Sequence, residues 1–246
     1  MKTSNKLLTG LFRLILLCIG FTMYSSISSY QKEYTIGNCK PVTKTVPIGT
    51  LKEIHLNGGI HVQVIQGNVP SLSIQTDENI VPKINVAMKN GVLDISLSSK
   101  IASSTGIDIF VTADSLEGIE MEAGTQVETP NGLRGTRLKI KSSAGATGIF
   151  QLAYDDLICR STAGSELLLA GTAHRTSFIF SSGGMIDAVQ LQTQKAKVEG
   201  DSGGSAQIQV TGELTADVSS GGSLLYAGNP PVETIRATSG GEVQKK

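Results

Sequence analysis

Apolar and polar residues alternate along this chain in short runs, with the period of a half-buried strand. In KEIHLNGGIHVQVIQG (52–67), Ile54, Leu56, Ile60, Val62 and Val64 share one parity. His55, Asn57, His61 and Gln63 share the other, which predicts a strand pair with Gly58-Gly59 as a bend or bulge. SLSIQT (71–76) reads as a further strand. Residues 82–99 read as two alternating runs around Asn90-Gly91, a pair that signals a tight hairpin. IDIFVTA (107–113) adds one more. Residues 46–115 are therefore expected to form an antiparallel β unit whose chain reversals are hairpins. Residues 29–45 are polar and aperiodic, and predict a flexible tether.

After Asp114 the pattern changes to a repeat. One phrase recurs as SSAGAT (142–147), STAGSE (161–166), SSGGMI (181–186), DSGGSA (201–206), SSGGSL (219–224) and TSGGEV (238–243), with a weaker copy EAGTQV (122–127). Alternating runs such as RLKIKS (137–142) and AQIQVTG (206–212) lie between the copies. The glycines aligned on the phrase are Gly124, Gly145, Gly164, Gly184, Gly204, Gly222 and Gly241, spaced 21, 19, 20, 20, 18 and 19 residues apart. A period near twenty marks a stacked repeat. At roughly 3.3 Å per strand residue, such a coil suits two or three strands joined by corners. The predicted fold is all-β: the antiparallel unit runs into a right-handed β-helix-like solenoid over 116–246. The seven glycines are expected at its corners, where φ is positive and a Cβ would clash. They are read as structural, and neighbouring Ser and Thr as partners for the corner backbone.

Composition adds a compartment. Lys2 and Lys6 precede an apolar stretch, LILLCIGFTMY (14–24), and a small-residue segment follows from Ser25. That is the pattern of a signal peptide over 1–28, with an uncleaved signal anchor as the other reading. The apolar run is shorter than the roughly 20 residues that span a bilayer, and no later stretch could cross as a helix. The chain carries 21 basic and 21 acidic groups; without the leader 18 basic groups face 21 acidic ones. No basic stripe exists to neutralise phosphates, which argues against nucleic acid as a partner. Cys18 leaves with the leader. Cys39 and Cys159 remain, either as a disulfide or with Cys159 as a free buried thiol.

Candidate chemistry is sparse. His55 and His61 share a parity, and roughly 20 Å of extended chain between them is too far for one metal ion unless Gly58-Gly59 folds the strand back. His174 stands alone in a turn. Asp155-Asp156 occupies another turn. Asp187, Asp201 and Asp217 hold different offsets from their corners and should not stack into an acidic groove. A pectate-lyase-like β-helix enzyme would need Ca²⁺-binding acids and a basic catalyst gathered on one face. The paired glycines lack the strand and helix context of a phosphate loop. Trp is absent, and Tyr154 and Tyr226 are the only tyrosines of the repeat region, which weakens an aromatic sugar platform. No catalytic residue, metal ligand or cofactor is assigned.

The segment LTADVSSGGSLLYAGNPPVETIRATSGGEVQKK (214–246) resembles the ending of the DUF2807 family, the head GIN domain of auto-transporter adhesins. The shared features are strand and Ser-Gly-Gly units, a Tyr-x-Gly-x-Pro phrase (Tyr226, Gly228, Pro230), a last corner at Ser239-Gly240-Gly241, and the basic end Lys245-Lys246. The opening LKEIHLNGGIHVQVIQG (51–67) and the run 77–97 are similar too. The resemblance covers about 46–246. It implies a β-solenoid-like fold in an exported envelope protein of Bacteroidetes-like bacteria, and it carries over no catalytic residue. The expected function is a non-enzymatic surface-interaction module in the periplasm, on the outer membrane or outside the cell. Its partner would be a glycan, an envelope protein or a second copy stacked on a solenoid end. A β-helix polysaccharide lyase or hydrolase, and an envelope scaffold or sensor, are the alternatives.

Overall fold

A computed structural model describes residues 34–246, so the predicted signal peptide and residues 29–33 lie outside the described part. The chain is 67% strand and 1% helix, and it forms a β-solenoid of about 7 turns. In chain order the strands are β1 (Tyr34–Ile36), β2 (Pro41–Val46), β3 (Glu53–Asn57), β4 (His61–Gln66), β5 (Ser71–Asp77), β6 (Ile84–Lys89), β7 (Val92–Leu97), β8 (Lys100–Ser103), β9 (Asp108–Ala113), β10 (Gly118–Glu122) and β11 (Gln126–Glu128). They continue as β12 (Leu133–Ser142), β13 (Thr147–Thr162), β14 (Glu166–Ser181), β15 (Met185–Gly200), β16 (Ser205–Val218), β17 (Ser223–Ala227), β18 (Val232–Ala237) and β19 (Glu242–Lys245). Among the described residues no helix is long and apolar enough to cross a membrane.

Each coil has two faces joined at a Ser/Gly corner. Before the corner, β3, β10, the end of β12 and the second halves of β13 to β16 stack in parallel and finish on β18. After it, β4, β11, the first halves of β13 to β16, β17 and β19 form the other face. On the far side β13, β14 and β15 run 16 residues each through a bend without interruption, whereas the coil of β11 and β12 turns there, with the Gly132 N–H donating to the Thr129 carbonyl at 3.1 Å. Parity sorts the side chains as alternation demands. One inward column reads Ile54, Ile119, Ile140, Cys159, Phe178, Val198 and Ala216, all buried. The next pairs Phe180 with Gly200, where an added Cβ would stand 2.2 Å from the ring. Large and small residues thus interdigitate along the stack.

The N-terminal part differs from the expected antiparallel unit. β3 and β4 do not pair with each other. Gly58-Gly59 is a corner, and the two strands lie on opposite faces, parallel to β10 and β11. On the other side β3 and β4 pair in parallel with β7 and β9. The coil built from β3 and β4 is therefore sandwiched between two coils that follow it in sequence. Only the end of the stack is antiparallel: β6 closes on β7 through Asn90-Gly91, the tight hairpin its sequence predicts, while β5 pairs β9 and β2 pairs β5. The expected tether is structured within the described residues. β2 completes the cap, and β1 pairs with β8 in a separate two-stranded ribbon. Val46, the last residue of β2, and Ile48 just after it pack on the core and anchor the end of this stretch.

Unlike the bend at Gly58-Gly59, the seven Ser/Gly corners are type I′ turns, with positive φ at both central residues and a hydrogen bond from the fourth residue to the first. Ser143–Ala146 is representative: φ is 51° at Ala144 and 73° at Gly145, and Ala146 N–H donates to the Ser143 carbonyl at 3.2 Å. This requires a register correction. Gly124, Gly145 and Gly164 sit at the second central position, but Gly184, Gly204, Gly222 and Gly241 lie one residue past it. There the positive φ belongs to Gly183, Gly203, Gly221 and Gly240. The later glycines are required by proximity: a Cβ on Gly184 would stand 2.1 Å from the Ser161 carbonyl oxygen of the coil before.

The two ends close differently. Hydrogen-bonded reversed strands cover the N-terminal end. At the C-terminal end, Glu233 and Lys245 occupy the inward positions that follow Leu214 and Tyr226. They pair at 3.5 Å, and Tyr226 Oη donates to Glu233 at 3.2 Å. Ile235, in register with buried Ala216, is 42% exposed. Charges turned inward on an edge oppose the stacking of another apolar coil.

Candidate functional site

The post-corner face carries an exposed apolar cluster among mainly polar outward residues. Alternation sends Gly148, Phe150, Leu152 and Tyr154 of β13 inward and leaves Ile149 outward, 53% exposed. In β14, Leu167 and Leu169 point in while Leu168 points out, directly beside Ile149 and 36% exposed. Met185, on the next coil, is 45% exposed. The outward column reads Glu128, Ile149, Leu168, Asp187 and Gln207: an apolar pair bracketed by carboxylates and followed by an amide.

An irregularity in β15 shapes this face into a groove. Its register against β14 slips between Leu168 and Ala170, and against β16 between Ala188 and Gln192. The extra residues form a strand bulge in which Ala188 and Leu191 stay buried while Val189 and Gln190 reach the surface. Asp187 Oδ1 accepts the Val189 N–H at 3.1 Å and fixes the bulge. The groove beside it has a volume of 530 Å³ and is lined by the apolar pair, Val189, Gln151, Gln190 and Gln207 among others. An apolar centre rimmed by amides and acids is suited to contact and hydrogen bonding. Parity could have revealed Ile149 in the sequence. Leu168 was hidden inside the run LLL, and the bulge leaves no local sequence signature.

The pre-corner face is a ladder of charges across neighbouring coils. Lys141 pairs with Glu120 at 2.7 Å, Lys195 with Glu213 at 2.9 Å and Arg236 with Asp217 at 3.8 Å. The exposed pairs are each worth little, about 0–1 kcal/mol. Asp156, expected in a solvated turn, receives the guanidinium of Arg175, which holds its carboxyl below the usual range. Its neighbour Asp155 is exposed.

The histidines are separated by the corner. His55 lies on the pre-corner face with Nδ1 3.0 Å from Asp94 and Nε2 3.6 Å from Glu53. His61 lies on the post-corner face with Nδ1 2.8 Å from Asp108. Among the described residues no three His, Cys, Asp or Glu side chains are placed to hold a metal ion. His174 is exposed at the far bend. Asp187 is at the groove, Asp201 opens a corner and Asp217 is on the charged face, so the structure does not bring these three together. Tyr154 is buried, and burial pushes its hydroxyl up to about 12. Cys39 is exposed and Cys159 buried, and both thiols are free; burial raises the Cys159 pKa.

Residues 50–230 match the model of the DUF2807 family, described as "putative auto-transporter adhesin, head GIN domain". No curated protein matches the chain. Among solved structures, a protein from Bacteroides fragilis described as a putative adhesin aligns with a TM-score of 0.81 at 23% identity, covering 86% of this chain and 100% of its own. One from Parabacteroides merdae, described likewise, aligns at 0.71 and 22% identity over 87% of this chain and 99% of its own. One from Parabacteroides distasonis, described as a putative lipid binding protein, aligns at 0.69 and 21% identity over 87% of this chain and 100% of its own. These likenesses establish a shared fold.

Proposed function

Because the chain belongs to the DUF2807 head GIN family, we propose that it is an exported, non-catalytic envelope protein that acts by adhesion through the post-corner face. In this reading residues 1–28 direct export, the corners are scaffold, and the groove beside the β15 bulge is the contact surface. Its partner is a glycan or another envelope protein. The observation that carries the reading is the outward pair Ile149 and Leu168, set between Glu128 and Asp187 on a face of parallel strands. Exposed apolar residues gathered beside polar groups mark interaction surfaces. A stacked sheet holds such groups at fixed spacing, which limits the ordering cost of binding.

The test is a glycan array and an array of envelope proteins probed with the purified protein. Saturable binding that Ile149→Asp/Leu168→Asp abolishes is the expected result. Cleavage of acidic polysaccharides by the same preparation with Ca²⁺ present would overturn it in favour of an enzyme.

A further inference from the structure

A second hollow lies at the corner edge of the N-terminal coils, away from the groove. β8 leaves the capping coil between β7 and β9 and pairs with β1 as a separate ribbon. Between this ribbon and the corner residues Gly58, Gly59 and Ala123 is an open cleft of 1180 Å³. Its apolar wall is aliphatic, formed by Ile36, Leu97 and Ile101, with Tyr34 the one aromatic ring. Gly58 allows Leu97 to lie close: a Cβ there would stand 3.0 Å from Leu97 Cγ.

Much of the polar lining is engaged within the wall. Thr35 Oγ1 bonds Ser99 Oγ at 3.2 Å, Ser98 Oγ donates to the Lys83 carbonyl at 3.0 Å, and Asn79 Nδ2 donates to the Ile36 carbonyl at 2.8 Å. Two ammonium groups remain, those of half-buried Lys83 and exposed Lys100. No Asp or Glu lines the cleft. Among the described residues neither amine has a carboxylate within 4.0 Å, as is also true of Lys40, Lys44, Lys89, Lys139 and Lys246, but Lys83 and Lys100 are the two that share one cleft. Two cations without counter-charge beside an aliphatic wall favour an occupant that is anionic at one end and apolar along its length. A sugar would be served better by aromatic rings and free hydroxyl partners.

We propose that this cleft binds a single-chain anionic amphiphile. Its carboxylate or phosphate head sits on Lys83 and Lys100, and its chain lies along Leu97, Ile101 and Ile36.

Titration calorimetry of the full chain with octanoate, decanoate and laurate below their micelle concentrations tests this. One saturable site is expected, tightening about fourfold per added methylene until the wall is covered. Acetate, inorganic phosphate and a neutral maltoside of laurate's chain length should bind at least about tenfold more weakly than laurate. Lys83→Gln/Lys100→Gln should weaken laurate at least about tenfold with unchanged circular dichroism, and exposed Lys100→Gln alone should weaken it measurably. Ile149→Asp/Leu168→Asp should leave laurate binding intact, which separates this site from the groove. Three results would overturn the proposal: no saturable laurate binding, equal binding by the lysine variants, or acetate or phosphate binding as tightly as laurate.

Discussion

The first three corners and the last four share one backbone turn and fill its surroundings in opposite ways. The closing hydrogen bond measures 3.2 Å at Thr125, Ala146 and Ser165, but 2.9, 3.0, 2.8 and 2.8 Å at Gly184, Gly204, Gly222 and Gly241. In the early corners the fourth residue carries a buried side chain. Ser165 Oγ lies 2.9 Å from the Ser142 carbonyl, which it can donate to, and accepts the Thr162 N–H at 3.1 Å. In the late corners that residue is glycine, and the backbone of the preceding coil takes the space. A Cβ would stand 2.1 Å from an oxygen at Gly184 and 2.3 Å at Gly241. Beside Gly204 the ring of Phe180 adds to the filling, 2.9 Å from where a Cβ would be. One turn thus accepts two packings, by a small buried side chain at Thr125, Ala146 and Ser165, or by the main chain of the preceding coil, joined at Gly204 by the Phe180 ring. Two adjacent glycines can therefore be needed for separate reasons, one for φ and one for proximity.

Exchanging the two corner types should break the symmetry of outcome. Gly184→Ser, which copies Ser165, is expected to cost about 3 kcal/mol in urea unfolding, because the obstacle is backbone. The reverse change, Ser165→Gly, should cost only about 1–2 kcal/mol through lost buried hydrogen bonds. Equal effects would erase the distinction between the corner types. Gly164→Ala and Gly183→Ala probe what the corners share: neither added Cβ meets an atom within 4 Å, so only the positive φ resists. Both should lose about 1 kcal/mol, and a large difference between them in parallel melts would show that the turns are not equivalent. The smallest effect is expected from Ala163→Gly. Relief of its 51° φ offsets the added freedom of the unfolded chain, leaving stability within about 0.5 kcal/mol by denaturant titration.

The solenoid was legible because its coils repeat in sequence at the spacing at which they stack. The phrase from Ser142 to Thr238 marks every late corner, and strand parity identified the inward residues from Ile54 to Val64. The N-terminal order was not legible. The coil of β3 and β4 lies between later coils, and such long-range parallel pairing leaves no periodic trace in residues 46–115. Gly58-Gly59 resembles a bend within one face as much as a corner between two. The one-residue slip at Gly184, Gly204, Gly222 and Gly241 arose because phrase alignment cannot separate a glycine needed for φ from one needed for closeness. At the groove, no residue was named from the sequence, although parity alone sets Ile149 opposite Phe150, whereas the β15 bulge depends on register against β14 and β16. The cleft beneath the ribbon depends on β1, which belongs to a stretch whose polarity suggested no structure.

The central claim is that the corners hold the solenoid together while the post-corner face makes the contact. Binding of the purified chain to isolated bacterial envelopes tests it most directly, with wild type, Ile149→Asp/Leu168→Asp and Ala163→Gly compared at matched concentration. The face variant should melt with the wild type and bind at least about tenfold more weakly, and the corner variant should bind as the wild type does. A folded face variant that binds undiminished, or a folded corner variant that loses binding, would contradict the account.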